Sequence, residues 1–306
     1  MKTQFEQFWD YVQKSKYITL CTHIEPDGDT LGSAIALREL IKLNCSDVEE
    51  VRISGGDYPR NLQFIIDEPI SLVSDEYFNK SLKIVVDTST KSRIFDQRIV
   101  TEESLKLDHH PHENKWLFEI GGDNWPATGQ LIVNLVKALN LKTNEKCLEG
   151  LAMSIVTDTE YFKERNISDE TFYNMGFLLE KGLDYNKLLM SMHANEEENS
   201  QIIKAIQNIK EKGNTTYTIL KESIKNDVVR PLVAKVTDLS NTEVTIVFMK
   251  KEDGNIRCSI RSKSYINVSK IAKHFGGGGH FSSSGFIIDT FDKVDEVIDY
   301  INQQND

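Results

Sequence analysis

Four short stretches concentrate aspartate and histidine: His23, Asp27 and Asp29 in THIEPDGDTLGS, Asp87 in KIVVDTST, Asp108-His109-His110 in KLDHHPHE, and Asp158 in SIVTDTEYF. Carboxylates and imidazoles hold divalent cations, and two such ions close together clamp the attacking and leaving oxygens of a displacement at phosphorus. Taken singly, each stretch has an ordinary reading. PDGD is β-turn composition in which Gly28 eases the turn, and Asp87 or Asp158 can cap a helix. Consecutive Asp, His and His, however, are costly to pack without partners. In combination the four stretches predict a two-metal site and phosphoester hydrolysis. Oxygen-rich ligation with a few imidazoles suits Mn²⁺, with Mg²⁺ or Co²⁺ as alternatives, better than structural zinc, which calls for thiolates.

The elements that must position these residues alternate. Phe5, Phe8, Trp9 and Val12 recur at helical spacing, and KYITLCTH is a β-rich run ending on His23. TLGSAIALRELIKL reads as a buried helix, followed by short strands near 51–54, 83–87 and 104–108, the last two ending on an aspartate. This is α/β alternation, which predicts a mostly parallel sheet with helices on both faces; ligands then sit beyond the carboxyl ends of the strands. Helices are expected at 127–139, 145–156 and 169–181, the last capped by Ser168 or Asp169 and ended by Gly182.

The organisation expected is a metal-binding domain over 1–190, an exposed helical connector over 191–212, and a smaller α/β domain over 213–306, with the active-site cleft between the two domains. The C-terminal part reads as strands near 215–220, 231–237, 243–249 and 255–261, then a helix from Asn267 or Ser269 that stops at Gly276 to Gly279. A glycine run after a helix lets main-chain N–H groups approach an anion, and Arg261 and His280 add side-chain donors for phosphate or base.

Lys+Arg 36 against Asp+Glu 47 gives a net charge of −11, which excludes whole-molecule attraction to nucleic acid or anionic membrane. The balance is uneven. Between 250 and 280 stand seven basic residues and two acidic ones, so a local anion-binding face is retained. Cys21, Cys45, Cys147 and Cys258 form no pair motif and read as reduced and packed. MKTQFEQFWDYV lacks the apolar core of a signal peptide and no stretch is long enough to span a membrane, so a soluble cytoplasmic protein is expected. His112 reads as a surface residue, and Trp116 and Trp125 as packed.

HxxPDGD, a strand-end Asp, DHH and TDT in this order resemble the DHH phosphoesterase superfamily, and Arg261-Ser262 with Gly277-Gly278-Gly279-His280 resembles its DHH-associated domain. The chain looks like the bifunctional class that hydrolyses very short RNA and removes the 3′-phosphate of adenosine 3′,5′-bisphosphate. The resemblance implies that His23, Asp27 and Asp87 hold one Mn²⁺ and that Asp29, Asp87, His109 and Asp158 hold the other, with Asp87 bridging. It further implies that Asp108 supports the motif, that His110 orients a ligand or touches the scissile phosphate, and that Arg261, Ser262, Gly277, Gly278, Gly279 and His280 grip the nucleotide. Where the family commonly has Gly-Arg-Phe after TDT, Glu160-Tyr161-Phe162 stands here, with Arg165 as the nearest substitute. Phe281 stands where small residues are usual. Linear or cyclic dinucleotides are the alternative substrates, a nucleotide-binding regulator is the non-enzymatic alternative, and a homodimer is the candidate assembly.

Overall fold

The computed structural model describes residues 1–163 and 166–304. Arg165 lies outside the described residues. The chain divides into two compact units, Met1–His193 and Ala194–Asp306.

In the first unit the expected parallel sheet is present. Strands β1 (Tyr17–Cys21), β2 (Glu50–Ser54), β3 (Leu82–Val86), β4 (Leu105–Asp108) and β5 (Phe118–Gly121) run in the order β2-β1-β3-β4-β5. Every neighbouring pair is parallel. Helices α1 (Lys2–Gln13), α2 (Gly28–Asn44), α3 (Asp75–Lys80), α4 (Thr128–Leu139), α5 (Glu145–Asp158), α6 (Asp169–Glu180) and α7 (Tyr185–Ser191) complete the unit. Phe5, Phe8, Trp9 and Val12 of α1 are buried, as their spacing requires. Strand β5 and helices α3 and α7 are additions to the expected elements; all three are short, and short segments carry little periodicity.

Helix α2 is buried along most of its length, because it is held between the sheet and α5. The two helices touch through their backbones. A Cβ on Gly32 would stand 2.3 Å from the Gly150 carbonyl oxygen, so no larger residue fits this crossing. The same approach carries Gly28 against Thr157: a Cβ there would meet Thr157 Oγ1 at 2.3 Å. Gly28 therefore serves close packing rather than a turn, since α2 begins at Gly28 and Asp27 is its N-cap.

In the second unit, β6 (Lys210–Lys212), β7 (Thr215–Ser223), β8 (Val244–Lys250), β9 (Ile256–Ser262), β10 (Gly278–Gly279) and β11 (Ser283–Ile288) form one sheet in the order β10-β11-β9-β8-β7-β6. Only β7 and β8 pair in parallel. Helices α10 (Val268–His274) and α11 (Val294–Gln303) cover one face over Ile246, Phe248, Cys258 and Ile260, while α8 (Glu196–Gln207) and α9 (Asn226–Asp238) cover the other over Val247 and Met249.

Two differences from expectation follow from burial. The strand expected at 231–237 is helix α9: Val228, Val229, Leu232, Val233 and Val236 are buried at three- and four-residue spacing, and this helical stripe overrides the β preference of valine. Pro231 lies inside that helix, where a central strand would have excluded it. The polar segment expected as an exposed connector forms α8, whose Ile202 and Ala205 pack into the second unit. Asn195 starts it with a capping box that includes Glu198.

Candidate metal centre

The carboxyl ends of β1, β3 and β4 deliver the candidate residues, and the α2–α5 contact supplies the rest. Asp27 caps α2: its Oδ1 accepts from the Asp29 and Thr30 amides at 3.1 and 3.2 Å. Asp29 thereby falls in the first turn of α2, fully buried. His23 follows β1 and forms a bridge with Ile94. Asp87 directly follows β3 with φ +64°, a left-handed conformation that costs roughly 1–2 kcal/mol for a non-glycine residue, held by its N–H donating to Leu107 O at 2.9 Å. Asp158 is the last residue of α5 and so not an N-cap; a carboxylate at a helix C-terminus is disfavoured by the dipole unless a cation is near.

These side chains converge. Asp87 Oδ2 lies 3.4 Å from His23 Nε2, while its other oxygen, Oδ1, lies 3.4 Å from His109 Nε2. His23 Nε2 is also 3.6 Å from Asp27 Oδ1. His109 Nε2 is 3.6 Å from Asp29 Oδ2 and 3.2 Å from Asp158 Oδ2. Both rings are oriented from behind: His23 Nδ1 donates to the Ile24 carbonyl at 2.8 Å and His109 Nδ1 to the Trp125 carbonyl at 3.1 Å. Each Nε2 is thus left as the lone-pair nitrogen, the form that binds metal. Two donor groups, His23/Asp27/Asp87 and Asp29/Asp87/His109, each have ligand atoms close enough for one cation, and Asp87 belongs to both.

The electrostatics agree with a cation-binding role. Burial, followed by the neighbouring Asp29, Asp27, Asp158 and Asp108, pushes Asp87 well above the ordinary carboxylate range. Burial and Asp158 likewise raise Asp29, against the opposing pull of His109 and hydrogen bonds from Ser154 and Thr128. Carboxylates that repel one another in a buried site are relieved by divalent charge, so the donor set fits a metal.

Asp108 and His110 adjoin this convergence, with His110 Nδ1 3.7 Å from Asp87 Oδ1, but bond first to each other. Asp108 Oδ1 accepts from His110 N at 3.1 Å and from His110 Nδ1 at 2.7 Å, and its Oδ2 accepts from Ser89. Burial opposes its ionisation, but these hydrogen bonds and the adjacent imidazole charge hold it below the usual range. The motif therefore splits: His109 turns to the cluster, and Asp108 anchors His110.

Sequence reasoning missed the supporting layer. Lys106 is fully buried on β4, with Nζ 2.8 Å from Glu119 Oε2, 3.2 Å from Ser89 Oγ and 3.6 Å from Asp108 Oδ2. A lysine between two leucines of a parallel strand was the available signal. Thr128 Oγ1 donates to Asp87 at 3.0 Å, its amide donates to Asp29 at 2.8 Å, and Ser33 and Ser154 donate to Asp29 as well. His112 is exposed and pairs with Glu119 at 2.9 Å, away from the cluster. Trp116 is buried, with its Nε1 donating to Glu113 O at 2.9 Å.

In the second unit, Arg261 lies on β9 and is half-buried. Ser262 Oγ donates to Glu243 at 2.8 Å and so holds the following turn. The glycine run divides its work: the Gly276 and Gly277 amides donate to Lys273 O and Ala272 O, closing α10, while Gly278 and Gly279 form β10 against β11. The Gly276 and Gly277 amides are thereby occupied within the fold rather than turned to an anion. His280 closes the β10–β11 hairpin through its N–H to Ser283 O at 2.7 Å.

A parallel α/β sheet with a carboxylate–imidazole centre at its strand ends, followed by a second sheet unit, defines the class of protein. Residues 212–305 match the DHHA1 domain model. Over most of its length the chain is similar to the bifunctional oligoribonuclease and PAP phosphatase of Mycoplasma genitalium, at 29% identity over 92% of this chain and 91% of that protein. The protein of the same description from Bacillus subtilis is 27% identical over 92% of each. Among solved structures, an exopolyphosphatase-related protein from Bacteroides fragilis superposes with a TM-score of 0.86, covering 99% of this chain and 96% of that one at 20% identity. Residues 212–305 thus carry a DHHA1 domain, and the chain as a whole is similar to bifunctional oligoribonuclease and PAP phosphatase proteins, which are phosphoester hydrolases. No helix among the described residues is long and apolar enough to cross a membrane.

Proposed function

We propose that this phosphoester hydrolase uses Mn²⁺ to cleave very short RNA to mononucleotides and to remove the 3′-phosphate of adenosine 3′,5′-bisphosphate. The observation that carries the reading is Asp87, whose two carboxylate oxygens face two different imidazoles, each with its own further carboxylate. His23, Asp27 and Asp87 would hold one ion, and Asp29, Asp87, His109 and Asp158 the other. Bound there, the pair would supply Lewis acidity that makes water nucleophilic at neutral pH and neutralises phosphoryl charge. The chain's own residues do the rest. Asp108 holds the His110 ring by Nδ1, so that the ring is fixed to orient a ligand or meet the scissile phosphate, and Lys106 Nζ stands 3.6 Å from Asp108 Oδ2 behind it. Arg261 and His280 carry the nucleotide in this reading. The oligoribonuclease and PAP phosphatase relatives support that substrate class.

The test is a panel with purified protein and Mn²⁺: RNA dinucleotides, a 24-mer, adenosine 3′,5′-bisphosphate, a cyclic dinucleotide and pyrophosphate. Turnover of the RNA dinucleotide and the bisphosphate is expected. Preference for the cyclic dinucleotide would move the substrate to the alternative, and turnover of pyrophosphate alone would overturn the proposal.

A further inference from the structure

The sheet of the second unit is covered unequally. On the face that carries Val247 and Met249, helices α8 and α9 pack over β7 and β8, and among the described residues no side chain of β9 or β11 joins that core. Register places Arg257, Ser259 and Arg261 of β9 on this same face, opposite Met249, Val247 and Thr245. Across from them on β11 stand Ile287, Gly285 and Ser283, and Gly278 of β10 pairs beyond Gly285. The resulting strip holds two arginines, the exposed Ile287, small residues and no acidic residue, in a chain whose net charge is −11.

Four features make the strip more than a stretch of small residues. Arg257 and Arg261 are four residues apart on one strand, which sets their Cα atoms about 13 Å apart on the same face, a spacing that suits two phosphates rather than one. Arg257 is held in place by donating to Asn226 Oδ1 at 2.9 Å. At the Arg261 end, the buried Thr245 hydroxyl lies directly across from Arg261 and finds no hydrogen-bond partner in the protein. Beside it the two-residue hairpin tip exposes Phe281, 45% accessible, and that tip is pinned by Val268 N donating to Phe281 O and Ser262 N donating to Ser282 O. Spaced cations with an aromatic platform are the elements that bind single-stranded nucleic acid.

The geometry points to a track for single-stranded RNA along β9 and β11, in which Arg257 contacts a second phosphate beyond the one at Arg261 and Phe281 offers a stacking surface for a base. The inference rests on the oligonucleotide reading above and deepens it. Arg257 would determine preference for chains longer than a dinucleotide, while adenosine 3′,5′-bisphosphate is too short to reach it.

The experiment compares wild type, Arg257→Gln and Phe281→Ala on an RNA dinucleotide, an RNA pentamer and adenosine 3′,5′-bisphosphate, alongside anisotropy binding of a phosphorothioate pentamer to EDTA-treated protein. Arg257→Gln is expected to raise KM for the pentamer about tenfold and that of the bisphosphate less than twofold. It should also reduce the slope of log affinity against log salt by about 0.7. Phe281→Ala should weaken pentamer binding with kcat unchanged. Equal effects on all three substrates, or pentamer affinity unchanged by Arg257→Gln, would overturn the track. If the wild type binds the pentamer with this Arg257 dependence but hydrolyses no RNA, the track stands and the hydrolytic reading falls. Absence of pentamer binding by the wild type removes the track.

Discussion

Two buried carboxylates, one in each unit, show how different a site for a metal is from a site for structure. Asp87 is surrounded by other carboxylates and pushed well above its ordinary range. Glu243 is nearly as buried, yet hydrogen bonds from the Ser264 and Ser262 hydroxyls and the Ser264 and Tyr265 amides overcome its burial and bring it down to about 2. The Glu243 carboxylate is satisfied by the protein, and its task is to fix the turn that follows Arg261. Asp87 is left with one direct donor, Thr128, and with imidazole nitrogens that can share a cation. The frustrated Asp87 is a carboxylate that a bound cation would relieve, whereas the saturated Glu243 needs none.

The contrast breaks most severely at Asp87. Asp87→Asn should reduce turnover of every substrate by at least about a thousandfold, because in the proposed site one residue serves both ions, and metal analysis should find fewer than two ions bound. Retained turnover would refute the shared ligand. In EDTA the same variant should melt higher than the wild type. A carboxylate whose folded pKa is raised loses its stabilising contribution as pH rises from the ordinary aspartate range through the folded value, and Asn removes that loss.

Arg261→Ala comes next: KM for the RNA dinucleotide should rise roughly ten- to a hundredfold while metal content stays at the wild-type value. Loss of metal in this variant would deny the separation of tasks between the two units.

Glu243→Ala gives the smallest effect on chemistry and the clearest opposite sign. A depressed carboxylate contributes stability above its unfolded pKa near 4.5 that is lost as pH falls toward 2. Denaturation at pH 7 should show a loss on the order of 2–3 kcal/mol, and the gap from wild type should close as pH approaches 2. A gap independent of pH would mean that the carboxylate charge does no work there.

How far the chain could be read depended on whether its signal was local. THIEPDGD, the aspartate after KIVV, DHH and TDT announced a metal site because each places costly groups at a strand or helix end, and the parallel sheet was legible from its alternation. Helix α9 was not, since a run of valines looks like a strand until its burial pattern is known. Lys106 was also hidden. Its meaning lies in Ser89, Asp108 and Glu119, which reach it from β4, β5 and the loop after β3.

The amino-acid sequence by itself determined the donor chemistry, the resemblance to DHH phosphoesterases and the alternation of the first unit's elements, because residue type and short-range spacing carry that information. Tertiary structure alone decided which oxygen of Asp87 faces which imidazole, that Asp108 turns to His110, and that β9 turns Arg257 and Arg261 to the face outside the α8–α9 core. Those outcomes depend on the contact of α2 with α5 through Gly32 and Gly150, and on which strands α8 and α9 cover. They join residues far apart in the chain, and only packing brings such residues within reach.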